Sequence, residues 1–303
     1  MRRRHAALLL GLGLAAGACG AAARTPSAAS ERLAVMAPAA AETLVELGVA
    51  DRIVAVGNFV DWPPVVAGLP KIGAYDAPNA ERLVDLGVTH LFTTASEAGR
   101  GDYARLSALG IRVVALDTST FAGTLAAIAA TGREVGREAA ARALLERIES
   151  RLAAVRARAA SAPRRRVLVA VGHDPLFAAG PGSHLDELVT LAGGENVAGD
   201  ATSPYPMLAL ETVLERAPEV IVDSADNRPG NPRGLEAGLW RQWPFLPAVA
   251  AGRVAFVDPW RLLVPGPRLA DMAELMAKLI QPELFGRPRP EDFGPPRASE
   301  RRP

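Results

Sequence analysis

Three stretches in the first 120 residues share one phrase: VELGVADRIVAV, VDLGVTHLFTT and SALGIRVVAL. In each, a short amphipathic run ends in Leu-Gly and the chain resumes as a β-branched apolar run. Gly48, Gly87 and Gly110 stand where helices stop, because the residue just past a helix end adopts φ > 0 and glycine does so without a Cβ clash. The runs 53–56, 90–93 and 111–116 then read as buried strands. Strands that alternate with short helices demand right-handed crossovers and a mostly parallel sheet covered on both faces. Residues 31–136 therefore form an α/β lobe whose βα loops gather at one edge, the edge at which such sheets take ligands.

Residues 137–162 carry no glycine or proline before the C-terminal end and consist of strong helix formers, with Leu144, Ile148, Leu152 and Val155 recurring on one face. The stripe lasts too few heptads for a coiled coil, so the segment reads as one linking helix. After Pro163 the pattern restarts: RRVLVAV as a strand, HLDELVTLAGG as a helix, LALETVLERAPEVIVDS as helix then strand, GRVAFVD as a strand and RLADMAELMAKLI as a closing helix. Residues 163–285 are thus a second α/β lobe, and 286–303, rich in proline and charge, a disordered tail. The expected fold is α/β, two Rossmann-like lobes with parallel-rich sheets joined by one long backbone helix.

The opening MRRRHAALLLGLGLAAGACG has a basic start, an apolar run and small residues up to Cys19, the layout of a secretory signal over 1–19. The run is too short and glycine-broken to span a bilayer, which takes about 20 apolar residues. Cys19 is the one cysteine among 303 residues, so no intramolecular disulfide exists. Ala16-Gly17-Ala18-Cys19 resembles the lipobox of bacterial lipoproteins, which implies lipidation at Cys19 and anchoring to a membrane; simple cleavage is the alternative. Residues 20–30 are small and polar, a flexible tether. The expected location is periplasmic, or the outer face of the cytoplasmic membrane.

A net charge of +1 and the lack of a basic stripe argue against nucleic acid, and 49% hydrophobic content argues against wholesale disorder. Catalysis is not expected. No HExxH, G-x-S-x-G or Walker A motif is present, and the G-x-G of GLGLAAG lies in the signal rather than after a strand. Of four histidines, His5 is in the signal and His90 in an apolar run. His173 and His184 with Asp186 leave direct metal-ion binding as a minor alternative, and a serine hydrolase as a lesser one. No resident metal or cofactor is expected.

The stretch GNFVDWPP follows the strand run at 53–56, so it belongs on the ligand edge. Its double proline fixes φ near −65° and removes two backbone donors, which stiffens the loop and holds its side chains out at low entropic cost. Trp62 either folds back on the core or faces a ligand. Asp61 and Asp258, each shortly before a proline, fit the buttressing of their own loops. Arg261 and Arg268 are candidate cationic contacts, although Arg268 also fits holding its own PGPR turn.

The chain resembles the substrate-binding proteins of ABC importers for vitamin B12, ferric siderophores and haem, a group with a helical backbone between lobes. The resemblance covers roughly residues 31–285 and rests on RLAVMAPAAAETLVELG, VDWPP followed by IGAYDAPNAERL, GHDPLFAAGPGSHLDELVTLAGGENVAGD, YPMLALETVLE and VPGPRLADM. It implies a monomeric, extracytoplasmic carrier that binds a metal chelate between lobes and delivers it to a membrane permease driven by an ATPase. Similarity to the cobalamin binders implies a corrinoid held by Phe59, Trp62 and Tyr75 from the N-terminal lobe and by Tyr205 and Trp260 from the C-terminal lobe. A ferric siderophore or haem is the alternative cargo. The same resemblance implies that Glu81 and Glu211, one per lobe and each early in a helix, dock onto permease arginines; stabilising the start of their own helices is the alternative.

Overall fold

The computed structural model describes residues 31–98, 101–225 and 238–293. The expected signal, Cys19 and tether lie outside the described residues. In chain order the first lobe comprises β1 (Leu33–Val35), α1 (Pro38–Glu46), β2 (Ile53–Val56), the short antiparallel pair β3 (Gly73–Ala74) and β4 (Ala77–Pro78), α2 (Ala80–Asp85), β5 (His90–Thr94), α3 (Ala95–Ala98), α4 (Gly101–Ala108), β6 (Arg112–Leu116) and α5 (Phe121–Glu134). Its main sheet runs β2-β1-β5-β6 with every pairing parallel. The chain order reverses beside β1, and that reversal opens a crevice at the carboxyl ends of β1 and β5. Gly48, Gly87 and Gly110 take φ of +73°, +61° and +81°, each just past a helix, as the Leu-Gly phrase requires.

The linking helix α6 (Glu138–Ala159) has 22 residues and is therefore about 33 Å long. Its apolar stripe, Leu144, Ile148, Leu152 and Val155, is buried. Gly132 of α5 lets the two helices close: a Cβ there would lie 2.4 Å from the Ala141 side chain. The second lobe follows as β7 (Arg165–His173), β8 (Leu176–Ala178), α7 (His184–Leu191), β9 (Gly194–Asn196), α8 (Leu210–Arg216), β10 (Val220–Asp223), α9 (Pro247–Ala250), β11 (Val254–Phe256), α10 (Pro259–Leu262), α11 (Leu269–Ile280) and α12 (Pro282–Phe285). Strands β11, β10 and β7 are parallel; along the other edge of β7, β8 pairs antiparallel and β9 parallel. Here too a crevice opens at strand ends, those of β7 and β10.

One apolar cluster runs through both lobes. It contains Leu44 and Phe92 from the first lobe, Leu144 and Ile148 of α6, and Val222 and Leu275 from the second. Each such side chain contributes about 1.5–3 kcal/mol when fully buried, so the lobes share their largest stabilising term through α6. Polar bonds close the seam. The His184 N–H donates to the Ser119 carbonyl at 2.8 Å, and the N–H of Phe121, first residue of α5, donates to the Glu187 carboxylate, which also favours the helix dipole. Arg151 of α6 grips Asp271 and Glu274 of α11.

The tail departs from expectation. Residues 290–293 form a 3-10 turn that buries Phe293 against the shared cluster, and Asp292 pairs with Lys278 at 2.6 Å. Charge and proline content suggested disorder from 286 onward; one well-placed phenylalanine and one ion pair dock the segment as far as 293. The remainder of that expected tail lies outside the described residues.

Candidate functional site

The loop after β2 is pinned at both ends and open in the middle. Val60 and Val66 are fully buried, Val65 between them is 59% exposed, and Phe59, immediately before Val60, is 62% exposed. Trp62 is half-buried ahead of the double proline, and Pro64–Val66 forms a 3-10 turn. Phe59 stacks on Tyr75, ring centroids 5.7 Å apart and planes within 10°, so two of the expected ligand aromatics pack as one rigid pair. Tyr75 is held from behind: its carbonyl accepts from the Tyr103 hydroxyl at 2.8 Å, and Tyr103 is itself bonded to Thr93 at 3.1 Å. Burial, with the charge of nearby Asp61 adding to it, pushes the Tyr75 phenol up to about 12, so it remains a hydrogen-bond donor at neutral pH.

Lys71 lies under the same loop. Its Nζ donates to the Val60 carbonyl at 2.7 Å and to that of Gly57 at 3.4 Å. Burial pulls the ammonium down and the Asp61 carboxylate opposes that pull. No sequence signal beyond a lysine beside a short strand pointed to it.

On the second lobe, Tyr205 is 42% exposed on a segment that runs along β8. The N–H groups of Ala178 and Gly180 donate to the carbonyls of Pro206 and Pro204, and Met207 bridges to Phe177. Met207 and Phe177 are themselves exposed, 66% and 37%, so this wall presents three apolar side chains where the sequence reading named one. Strand alternation was the available signal: Ala178 points in, and its neighbour Phe177 points out. Trp62 and Tyr205 make no ring stack with the Phe59–Tyr75 pair.

Trp260 opens α10 on a buttress. Asp258 accepts from the Trp260 N–H at 2.8 Å, the loop-holding role expected of an aspartate before proline. Arg268 lies over the Trp260 ring, 5.8 Å from its centroid, and donates to its carbonyl at 3.3 Å. Its fork, however, is committed elsewhere: Nε and Nη2 each reach a Glu42 carboxylate oxygen at 2.7 Å, across 226 residues of sequence. Glu42 is 4% exposed, and burial raises its carboxyl despite the opposing pull of Arg268. Arg268 is thus a lobe-to-lobe strut. Arg261 is half-buried, its charge set among Arg268, Asp271 and Glu42.

A cavity of about 170 Å³ joins the lobes. Its wall includes Ala37, Tyr75, Thr94 and Leu116 from the first lobe and Leu263 and Pro265 from the second. It lies at the carboxyl ends of β5 and β6 and is mostly apolar. Larger hollows of about 580 and 600 Å³ run along α7 and β9, walled by Arg164, Asp186 and Thr190, and none of the five aromatics lines them. Shape alone would select those hollows; Tyr75, the one of the five aromatics in its wall, and the position at strand ends select the inter-lobe cavity.

The minor alternative, a metal site built from His173, His184 and Asp186, does not assemble. His184 is buried and donates Nε2–H to the Leu262 carbonyl at 2.7 Å, Asp186 accepts from Asn196 at 2.8 Å, and His173 pairs with the buried Asp223 at 2.9 Å. Trp240 donates to that same Asp223 at 2.7 Å. Among the described residues no three His, Cys, Asp or Glu groups come together to hold a metal ion. Glu81 and Glu211 are both exposed in the first turns of α2 and α8. Among the described residues no helix is long and apolar enough to cross a membrane.

The chain matches the family described as periplasmic binding protein over residues 33–259. A vitamin B12-binding protein of Salmonella typhimurium is 30% identical over 198 residues, 64% of this chain and 72% of that protein. Among solved structures, the periplasmic vitamin B12 binding protein BtuF of Vibrio cholerae superposes with a TM-score of 0.71 at 25% identity, covering 83% of this chain and 96% of that one. The periplasmic haem-binding protein BhuT, in complex with two haems, gives 0.71 at 26% identity, covering 84% and 99%.

Proposed function

Because the chain belongs to the periplasmic binding protein family, we propose that it carries cobalamin or a related corrinoid in the cleft between its lobes and delivers it to the permease and ATPase of an ABC importer. The observation that carries this reading is the pairing of a stacked aromatic surface, Phe59 on Tyr75, with a cationic side chain already spent: Arg268 is neutralised by Glu42. A ferric catecholate is strongly anionic and calls for converging free cations. A corrinoid calls for rigid apolar surface and a few donors that fix its amide side chains. Tyr75 supplies such a donor, since burial keeps its phenol protonated. Trp62 lies on the Phe59 loop, while Tyr205 and Trp260 furnish the facing wall, with Phe177 and Met207 extending it. The relatives named for vitamin B12 point the same way.

Haem is the second reading, favoured by the likeness to BhuT. Titration of the purified protein with cyanocobalamin, haemin, a ferric catecholate and Zn²⁺, followed by tryptophan quenching and the ligand's visible spectrum, separates them. Saturable binding of cyanocobalamin is expected; binding of haemin or the ferric chelate alone replaces corrinoid by that cargo. In the same reading, permease arginines meet Glu81 and Glu211, one acidic residue on each lobe. Two such charges orient the carrier and speed encounter more than they deepen affinity. Glu81→Arg with Glu211→Arg is expected to leave ligand affinity intact and to abolish stimulation of the importer's ATPase. Retained stimulation assigns both residues to their helix starts.

A further inference from the structure

We infer that Lys71 is a positioning residue for ligand binding: from beneath, its ammonium clamps the carbonyls of the loop that carries Phe59 and Trp62, and so sets that wall of the cleft before cargo arrives. The inference rests on the reading that this loop lines the ligand site.

The geometry is that of a brace. Lys71 is fixed beside β2 by its two neighbours: the N–H of Val56 donates to the Pro70 carbonyl at 2.9 Å, and the N–H of Ile72 donates to the Val56 carbonyl at 3.0 Å. Its side chain then reaches back 11 residues to Val60 and 14 to Gly57. The Val60 N–H donates to the Gly57 carbonyl at 3.1 Å, so one ammonium touches both ends of the same turn. Val60 is buried and Phe59 exposed, so fixing the carbonyl of Val60 fixes the direction in which its neighbour leaves the turn. Charge-assisted bonds to carbonyls are short and strong in a half-buried setting. The prolines stiffen the far side of the loop, Pro63 onward, but leave residues 57–60 free; Lys71 acts where the prolines do not. Gly73 completes the support, its carbonyl accepting from the Asn58 N–H at 2.9 Å.

A loop held in its bound shape spares the ordering entropy that binding would otherwise incur. Lys71→Met keeps the side chain's length and apolar stem and removes the donor; Lys71→Arg restores a donor. Amide hydrogen exchange is measured on both variants without ligand, and affinity is measured with cyanocobalamin and with haemin. In Lys71→Met, exchange at Asn58 and Val60 is expected to rise on the order of tenfold while β1 and β5 stay protected, and affinity to fall on the order of tenfold, the factor that about 1.4 kcal/mol produces. Lys71→Arg is expected to recover part of both. Unchanged exchange in Lys71→Met overturns the clamp. Faster exchange with unchanged affinity overturns the positioning role and shows that this loop does not line the site. If the wild-type protein binds neither probe, the corrinoid and haem readings fall, and exchange alone decides whether the clamp exists.

Discussion

Replacing Trp62 and Tyr205 together by alanine is expected to weaken cyanocobalamin binding by about 4 kcal/mol, a thousandfold, in calorimetric titration. The magnitude follows from what the two rings offer. In the proposed site they come from different lobes, neither makes a ring stack with another described residue, and Tyr205 is 42% exposed, so the free protein loses little when they are truncated. The bound complex loses two rigid aromatic faces, each worth about 2 kcal/mol at a desolvated anchor. Unfolding transitions of the double variant should remain near those of the wild type, which separates loss of binding from loss of fold. Full affinity in a folded double variant removes both residues from the site and leaves the family unaffected.

Glu42→Leu is expected to destabilise the protein by about 3–5 kcal/mol in denaturant unfolding, among the largest effects of any single substitution outside the core. It strands the Arg268 guanidinium, whose side chain is 15% exposed, without its counter-charge, and arginine cannot shed its proton to escape. Arg268→Met is milder, because the stranded carboxyl can take up a proton. Burial already raises Glu42, so the stability linked to its titration is present below the ordinary glutamate range and is lost as pH rises through its raised value. The double variant Glu42→Leu with Arg268→Met should recover most of the loss, since replacing a buried pair by apolar groups is often neutral. A double variant as unstable as Glu42→Leu would mean that the strut holds the lobes by charge rather than by packing.

Sequence periodicity exposed most of the architecture because it is written locally. The Leu-Gly phrase determines three helix ends, the stripe from Leu144 to Val155 determines the buried face of α6, and β-branched runs mark the parallel strands. The short elements escaped: β3, β4 and β9 hold two or three residues each, too few for any period to register. At the candidate site, the aromatics on proline-bearing loops could be named from the sequence, whereas their supports could not. Lys71 and Val60, Tyr103 and Tyr75, and Glu42 and Arg268 are 11, 28 and 226 residues apart, and nothing in a linear string marks such partners. The tail misled for the converse reason: its composition is polar, yet Phe293 and the Asp292–Lys278 ion pair suffice to dock it as far as 293.

The central claim is that a corrinoid lies between the lobes against the Phe59–Tyr75 surface. Anomalous diffraction at the cobalt absorption edge, from crystals of the protein grown with cyanocobalamin, tests it most directly, because the metal marks the ligand without reference to any side chain. One cobalt peak is predicted at the carboxyl ends of the two sheets, flanked by the Phe59–Tyr75 stack on one side and Tyr205 on the other. A cobalt peak in the arginine-walled hollows along α7 and β9, or no peak in crystals grown at saturating ligand, contradicts the claim.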